Sequence, residues 1–192
     1  MSLIHTRFIA GAAGDWQIER IAPVSGEPLA PASRLAIADA RHAASEAGAS
    51  WQLQGITSNT RYTTRQEADR LAAIQQGLGR PRATRAALIP IRKSAHWWAL
   101  AQDERRAIME EQSRHIAIGF DYLPAVSRRL YHARELGQPF DFLTWFEYAP
   151  ADAAAFEELV ARLRQSAEWR FVEREVDIRL ARPGNNANGD PA

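Results

Sequence analysis

Between residues 84 and 181 the apolar residues switch back and forth between a period of two and a period of 3.6, and that succession restricts the fold more than any other feature. The segment "FDFLTWFEYA" (140–149) alternates, with Phe140, Phe142, Thr144, Phe146 and Tyr148 on its even face. Aromatic and β-branched residues in that pattern predict a strand. "ADAAAFEELVARLRQSA" (151–167) spaces Phe156, Leu159, Val160 and Leu163 as a helix does. "WRFVEREVDIRLA" (169–181) alternates again, with Val172, Val176, Ile178 and Leu180 on one side. Upstream, "TRAALIPIRK" (84–93) suits a buried strand, although Pro90 favours an edge or a bulge. "DERRAIMEEQSRHIAIGFDYL" (103–123) predicts one helix, acidic in its first turn and ended by Pro124. "AVSRRLYHAR" (125–134) is ambiguous by itself; its alternation puts Val126, Arg128, Leu130 and His132 on one face, as in a strand.

Strand, helix, strand, strand, helix, strand is the ferredoxin-like order. Residues 50–62 (strand), 64–77 (helix) and 84–93 (strand) look like part of a second, incomplete copy, without a sequence repeat. A four-stranded antiparallel sheet with helices on one side leaves its other face open to meet another sheet or a ligand. The expected fold is therefore α+β: a ferredoxin-like α/β barrel of antiparallel sheets with helices outside, dimeric. The expected divisions are a truncated N-terminal half (1–83), a C-terminal half (84–182) and a disordered tail (183–192). The Ala-, Ser- and Pro-rich residues 24–50 are expected to be loop-rich.

At 192 residues and 46% hydrophobic, the chain can bury a core. A net charge of +1 gives no field for nucleic acid or an anionic membrane. The absence of cysteine removes disulfides, thiolate metal sites and cysteine nucleophiles. The N-terminus lacks a secretory apolar core and no stretch is long enough to span a bilayer, so a cytoplasmic location is expected. The five histidines show no zinc-helix spacing, "GLGRP" (77–81) is not a dinucleotide fingerprint, and neither a Walker loop nor a nucleophile elbow occurs.

Three features stand out. His115 falls on the stripe Ile108, Glu111, His115, Ile118 and Tyr122, with Gly119 one turn on. It is either a hydrogen-bonded core histidine, with the glycine allowing close packing, or a ligand to something flat that needs the clearance. Arg128 lies on an apolar strand face, which calls for an acidic partner such as Glu147 or an anionic ligand. Six tryptophans, among them Trp97 and Trp98, can line a planar ligand or fill a core.

In "TRAALIPIRKSAHWW", "RHIAIGFDYLPAVSRRLYH" and "FDFLTWFEYAP…EWRFVEREVDIRLAR" the chain resembles the chlorite dismutase family in its short, dimeric branch. The resemblance covers roughly residues 50–182 and implies a barrel fold, haem b and a homodimer. It implies His115 as the axial ligand of the haem iron, Glu168 as the carboxylate bonded to that imidazole, and Arg128 as the mobile arginine of the opposite face. Thr144, Phe146 and Gln75 (or Gln76) would line the distal pocket, with packing by Leu143. Lys93 and Tyr62 would hold the propionates, and Trp97 with Trp98 would flank the haem. The implied reaction turns chlorite into chloride and dioxygen through ferryl haem and recombining hypochlorite. A haem carrier or sensor and a peroxidase-like relative are the alternatives. A coprohaem decarboxylase fits less well, because Ile89 stands where that branch has its tyrosine and because Arg128 is present.

Overall fold

Eight strands close into one antiparallel barrel in a computed structural model that describes residues 4–41, 48–57 and 63–183. The strands are β1 (His5–Gly11), β2 (Trp16–Ser25), β3 (Arg34–Asp39), β4 (Trp51–Thr57), β5 (Arg85–Lys93), β6 (Ser127–His132), β7 (Phe142–Tyr148) and β8 (Val172–Ala181). Around the barrel they run β1-β3-β2-β8-β5-β7-β6-β4, with β4 returning to β1. Each consecutive set of four thus lies in the spatial order fourth, first, third, second. The helices are α1 (Arg65–Ile74), α2 (Ala95–Ala99), α3 (Gln102–Arg106), α4 (His115–Asp121) and α5 (Ala153–Arg164). None among the described residues is long and apolar enough to cross a membrane.

Alternation along the strands sorts side chains into two cores. Leu143 and Trp145 of β7 point into the barrel with Phe8, Leu53, Leu88, Ile178 and Leu180. Phe142, Phe146 and Tyr148 point outward and meet Ile118 of α4 and Phe156, Leu159, Val160 and Leu163 of α5. Each of those four α5 side chains is at most 5% exposed, and such burial stabilises by roughly 1.5–3 kcal/mol apiece.

The structure departs from the sequence reading in five places. The stretch 103–123 is not one helix: α3 runs into a π-helix (Ala107–Gln112), Arg114 takes a left-handed conformation (φ 53°), and α4 starts afresh at His115. Pro90 lies on no edge: β5 sits between β7 and β8, and the ladder to β8 skips Ile89 and Pro90. Residues 24–50 are not all loop, since β3 falls there and is needed to close the barrel. The barrel-facing side of the sheet holds apolar core, and the ligand-sized space lies on the helix side. Phe140 precedes β7 and packs inward, and Val172 packs outward, at a register shift opposite Arg92 and Lys93. The expected tail lies outside the described residues from 184 onward.

Candidate functional site

Between the outer face of β5, β6 and β7 and the helices α1, α4 and α5 lies a cavity of about 490 Å³. That volume suits a small-molecule or cofactor site. Its walls are mostly apolar: Ile89 and Ile91 of β5, Phe142 and Phe146 of β7, Val160 and Leu163 of α5. Into it reach His115, Arg128, Thr144 and Gln75, all singled out in the sequence.

The local break in the helix delivers His115. Because Arg114 interrupts the hydrogen-bond ladder, α4 has its own N-terminus with unsatisfied amides. Glu110 reaches over from the π-helix and caps them, accepting from Ile116 N at 2.7 Å and Ala117 N at 3.3 Å. The cap is Glu110, not the Glu111 of the predicted stripe. π-Helical turns and left-handed non-glycine residues concentrate at functional sites.

The imidazole is then fixed from behind. His115 Nδ1 lies 2.6 Å from Glu168 Oε2, and Lys93 Nζ donates to Glu168 Oε1 at 2.7 Å. Glu168 sits in the 3₁₀ turn Ala167–Phe171, is 2% exposed, and donates its own amide to Ser113 Oγ at 2.8 Å. Burial pushes its carboxyl up, but the charges of His115 and Lys93 and their hydrogen bonds outweigh burial and hold it at about 2. With Nδ1 engaged, Nε2 is the nitrogen left to bind a ligand.

Lys93 corrects the sequence reading. Its side chain is 1% exposed, paired with Glu168 and packed over the rings of Trp97 (4.7 Å) and Trp169 (5.5 Å). It does not line the cavity, so it does not stand where a cofactor carboxylate would meet it. Trp97 and Trp98 are not in the cavity wall either. Trp97 is buried behind Lys93; Trp98 stacks on Phe142 at 5.9 Å and donates to Asp141 at 3.2 Å. The tryptophan that does face the cavity is Trp169, held by Glu175 at 2.7 Å, and sequence reasoning left both residues without a role. Glu175 was hidden because its outward, nominally polar strand position turns out to be buried. Leu143 belongs to the barrel core and not to the cavity. Tyr62 lies outside the described residues.

Arg128 reaches in from β6. Burial pushes its guanidinium below its ordinary range, and among the described residues it has neither a carboxylate nor a hydrogen-bond acceptor as partner. Glu147, the partner considered from sequence, is occupied by Trp145 Nε1 and Gly79 N. The guanidinium lies against α4: a Cβ added at Gly119 would stand 2.9–3.0 Å from its nitrogens and Cζ. Gly119 therefore leaves room for the Arg128 guanidinium. Gln75 borders the cavity and donates to Arg128 O at 2.8 Å, whereas Gln76 turns away to Arg80 at 3.0 Å. Arg129 borders the cavity as well.

No group of three or more His, Asp or Glu side chains among the described residues could hold a metal alone. A single oriented imidazole suits a metal that arrives within a larger cofactor. A guanidinium without an acidic partner among the described residues, in a mostly apolar chamber, suits a small anion.

The family model "Chlorite dismutase" matches residues 37–183, well over half the chain. A dimeric chlorite dismutase from Nitrobacter winogradskyi superposes with a TM-score of 0.85 at 58% sequence identity, over 92% of this chain and 99% of that one. The chlorite dismutase of Candidatus Nitrospira defluvii, solved with imidazole, gives a TM-score of 0.65 at 20% identity over 94% and 91% of the two chains, a likeness of fold alone. The chlorite dismutase of Ideonella dechloratans is 34% identical over 86 residues, which are 45% of this chain and 28% of that protein, so the match spans little more than a quarter of that relative's length. The family model covers well over half of the chain, and the chain belongs to the chlorite dismutase family.

Proposed function

We propose that the protein is a haem b-dependent chlorite dismutase that converts chlorite to chloride and dioxygen. One observation carries the reading: a single chamber receives an imidazole fixed through Nδ1 to a buried carboxylate and a guanidinium without an acidic partner among the described residues. The chamber's apolar walls and its volume of about 490 Å³ fit a flat hydrophobic cofactor. Bound haem supplies the iron at which chlorite is cleaved and its oxygen atoms are joined.

The chain's own residues do the rest. His115 offers Nε2 to the iron. Glu168 accepts the proton-bearing Nδ1, selects that tautomer and makes the imidazole a stronger donor. Lys93 balances the carboxylate's charge, so the proton stays on the imidazole. Arg128 would attract the chlorite anion into a medium of low dielectric and hold negative charge within the chamber. Phe146, Ile91 and Leu163 exclude water that would let the anion escape. Thr144 and Gln75 are the neutral polar groups at the same chamber. Ile89 lines it where a decarboxylase would need a phenol, which favours chlorite turnover over that alternative.

The same reading takes each set of four strands as a ferredoxin-like half, 1–83 and 84–182, of which the second carries the site. It takes the protein as a homodimer, supported by its likeness to the dimeric Nitrobacter protein. Haem titration followed by chlorite addition over an oxygen electrode tests the function. A Soret band should form, His115→Ala should abolish or loosen it, and chlorite should release one dioxygen per chloride formed. A Soret band without dioxygen would assign the protein to haem carriage or peroxidation.

A further inference from the structure

The segment "QQGLGR" (75–80) matches no nucleotide-binding motif, yet it makes hydrogen bonds both to the strand of Arg128 and to the turn that precedes it. β6 pairs with β7 along its whole length, from Ser127↔Glu147 to His132↔Phe142. β4 pairs with β6 only at Tyr131 and His132 among the described residues. Among the described residues, the end that carries Arg128 pairs with β7 alone, and it follows a turn rather than a helix. The aim of its cation depends on how that backbone is held.

Residues 75–80 supply that hold. Gln75 Nε2 donates to Arg128 O at 2.8 Å, and Ser127 Oγ donates to Gly77 O at 3.2 Å. Gly79, in the left-handed region at φ 82°, turns its amide to Glu147 Oε2 at 2.6 Å. Arg80 closes the strap. Its guanidinium donates to Pro124 O (3.2 Å), Ala125 O (2.8 Å) and Glu147 O (3.3 Å), and also to Gln76 Oε1 (3.0 Å). It thus grips two carbonyls of the turn between α4 and β6 and the β7 residue opposite Ser127.

We infer that Arg80 is a positioning residue for Arg128: through the strap 75–80 it fixes the turn and strand end from which Arg128 reaches the substrate anion. The inference rests on the reading of Arg128 as the anion-holding group. Arg80 itself touches neither cofactor nor substrate.

The test uses the full chain loaded with haem and azide as the anionic probe, titrated at the Soret band. Arg80→Ala should raise the azide Kd and the chlorite KM by about threefold or more, with haem affinity unchanged, because the His115–Glu168 side is untouched. Ser127→Ala, which removes one strap bond without a guanidinium, should shift both in the same direction by less. It carries the test if Arg80→Ala does not fold. The double variant Arg80→Ala/Arg128→Ala should bind azide within about twofold of Arg128→Ala alone, since groups acting through one another are not additive. In the cofactor-free chain, amides 127–130 should exchange faster in Arg80→Ala. Lower thermal stability with azide Kd and KM at wild-type values, or full additivity in the double variant, would overturn the inference. An Arg128→Ala variant with unchanged azide affinity would overturn the reading of Arg128 and remove the strap's function with it.

Discussion

Replacing Glu168 separates two jobs that the carboxylate combines: orienting His115 and neutralising Lys93. Its folded pKa of about 2 lies below the ordinary value of about 4.3. The sign follows: the stabilisation is complete above about pH 4.3 and is lost as pH falls towards 2, with a total on the order of 3 kcal/mol. Glu168→Gln should flatten the acid limb of a melting-temperature profile between pH 4.5 and 2. At neutral pH it should destabilise by about 3–5 kcal/mol, because Lys93 is left as an unpaired buried cation. Lys93→Met in the same chain should recover most of that loss without restoring the haem spectrum of the native protein. The gathering of His115, Glu168, Arg128 and Gln75 at one cavity was legible because short stretches resemble the family's motifs. The destination of Lys93 was not. A lysine at the end of a strand can turn to either side, and its partner is 75 residues away in a turn that has no periodic signal.

At the scale of elements, strands β5 to β8 and helix α5 could be read from periodicity alone, within a few residues at each end. The break before α4 could not. Residues 103–123 are good helix formers throughout, and local propensity asks for one helix. Tertiary demands prevail: Ser113 must accept the amide of Glu168, and His115 must face the cavity one residue past a left-handed turn. Glu110 offsets part of that strain by capping α4. Glu110→Ala should therefore cost about 1 kcal/mol in chemical denaturation, as loss of a helix cap does. It should also speed haem transfer to a competing apo-globin, since the first residue of α4 is the imidazole itself. A cap that only stabilised the fold would leave the transfer rate unchanged.

For the whole molecule, the two cores on opposite faces of one sheet make stability and site separable. Trp145 is 1% exposed inside the barrel, and its neighbour Phe146 faces the cavity. Trp145→Ala should cost roughly 3–5 kcal/mol and leave the haem spectrum of the folded fraction intact. Phe146→Ala should cost less, because its cavity merges with one already present, and should shorten the enzyme's life during chlorite turnover. Thermal melts and progress curves separate the two. The barrel was legible in the C-terminal half because its strands alternate long enough to be counted. In the N-terminal half β1, β2 and β3 are mixed with Ala, Pro and Ser, and their closing role exists only once β8 and β4 are in place.

The match to the family model begins at residue 37, inside β3, although β1 and β2 complete the barrel. A staves-and-hoop division of labour follows. Strands that contribute few groups to a reaction answer to an in-out rhythm and not to particular letters, so they are free to drift while the staves around the chamber are not. Between residues 5 and 39, none of which lines the chamber, substitutions that keep the rhythm should leave its walls in place.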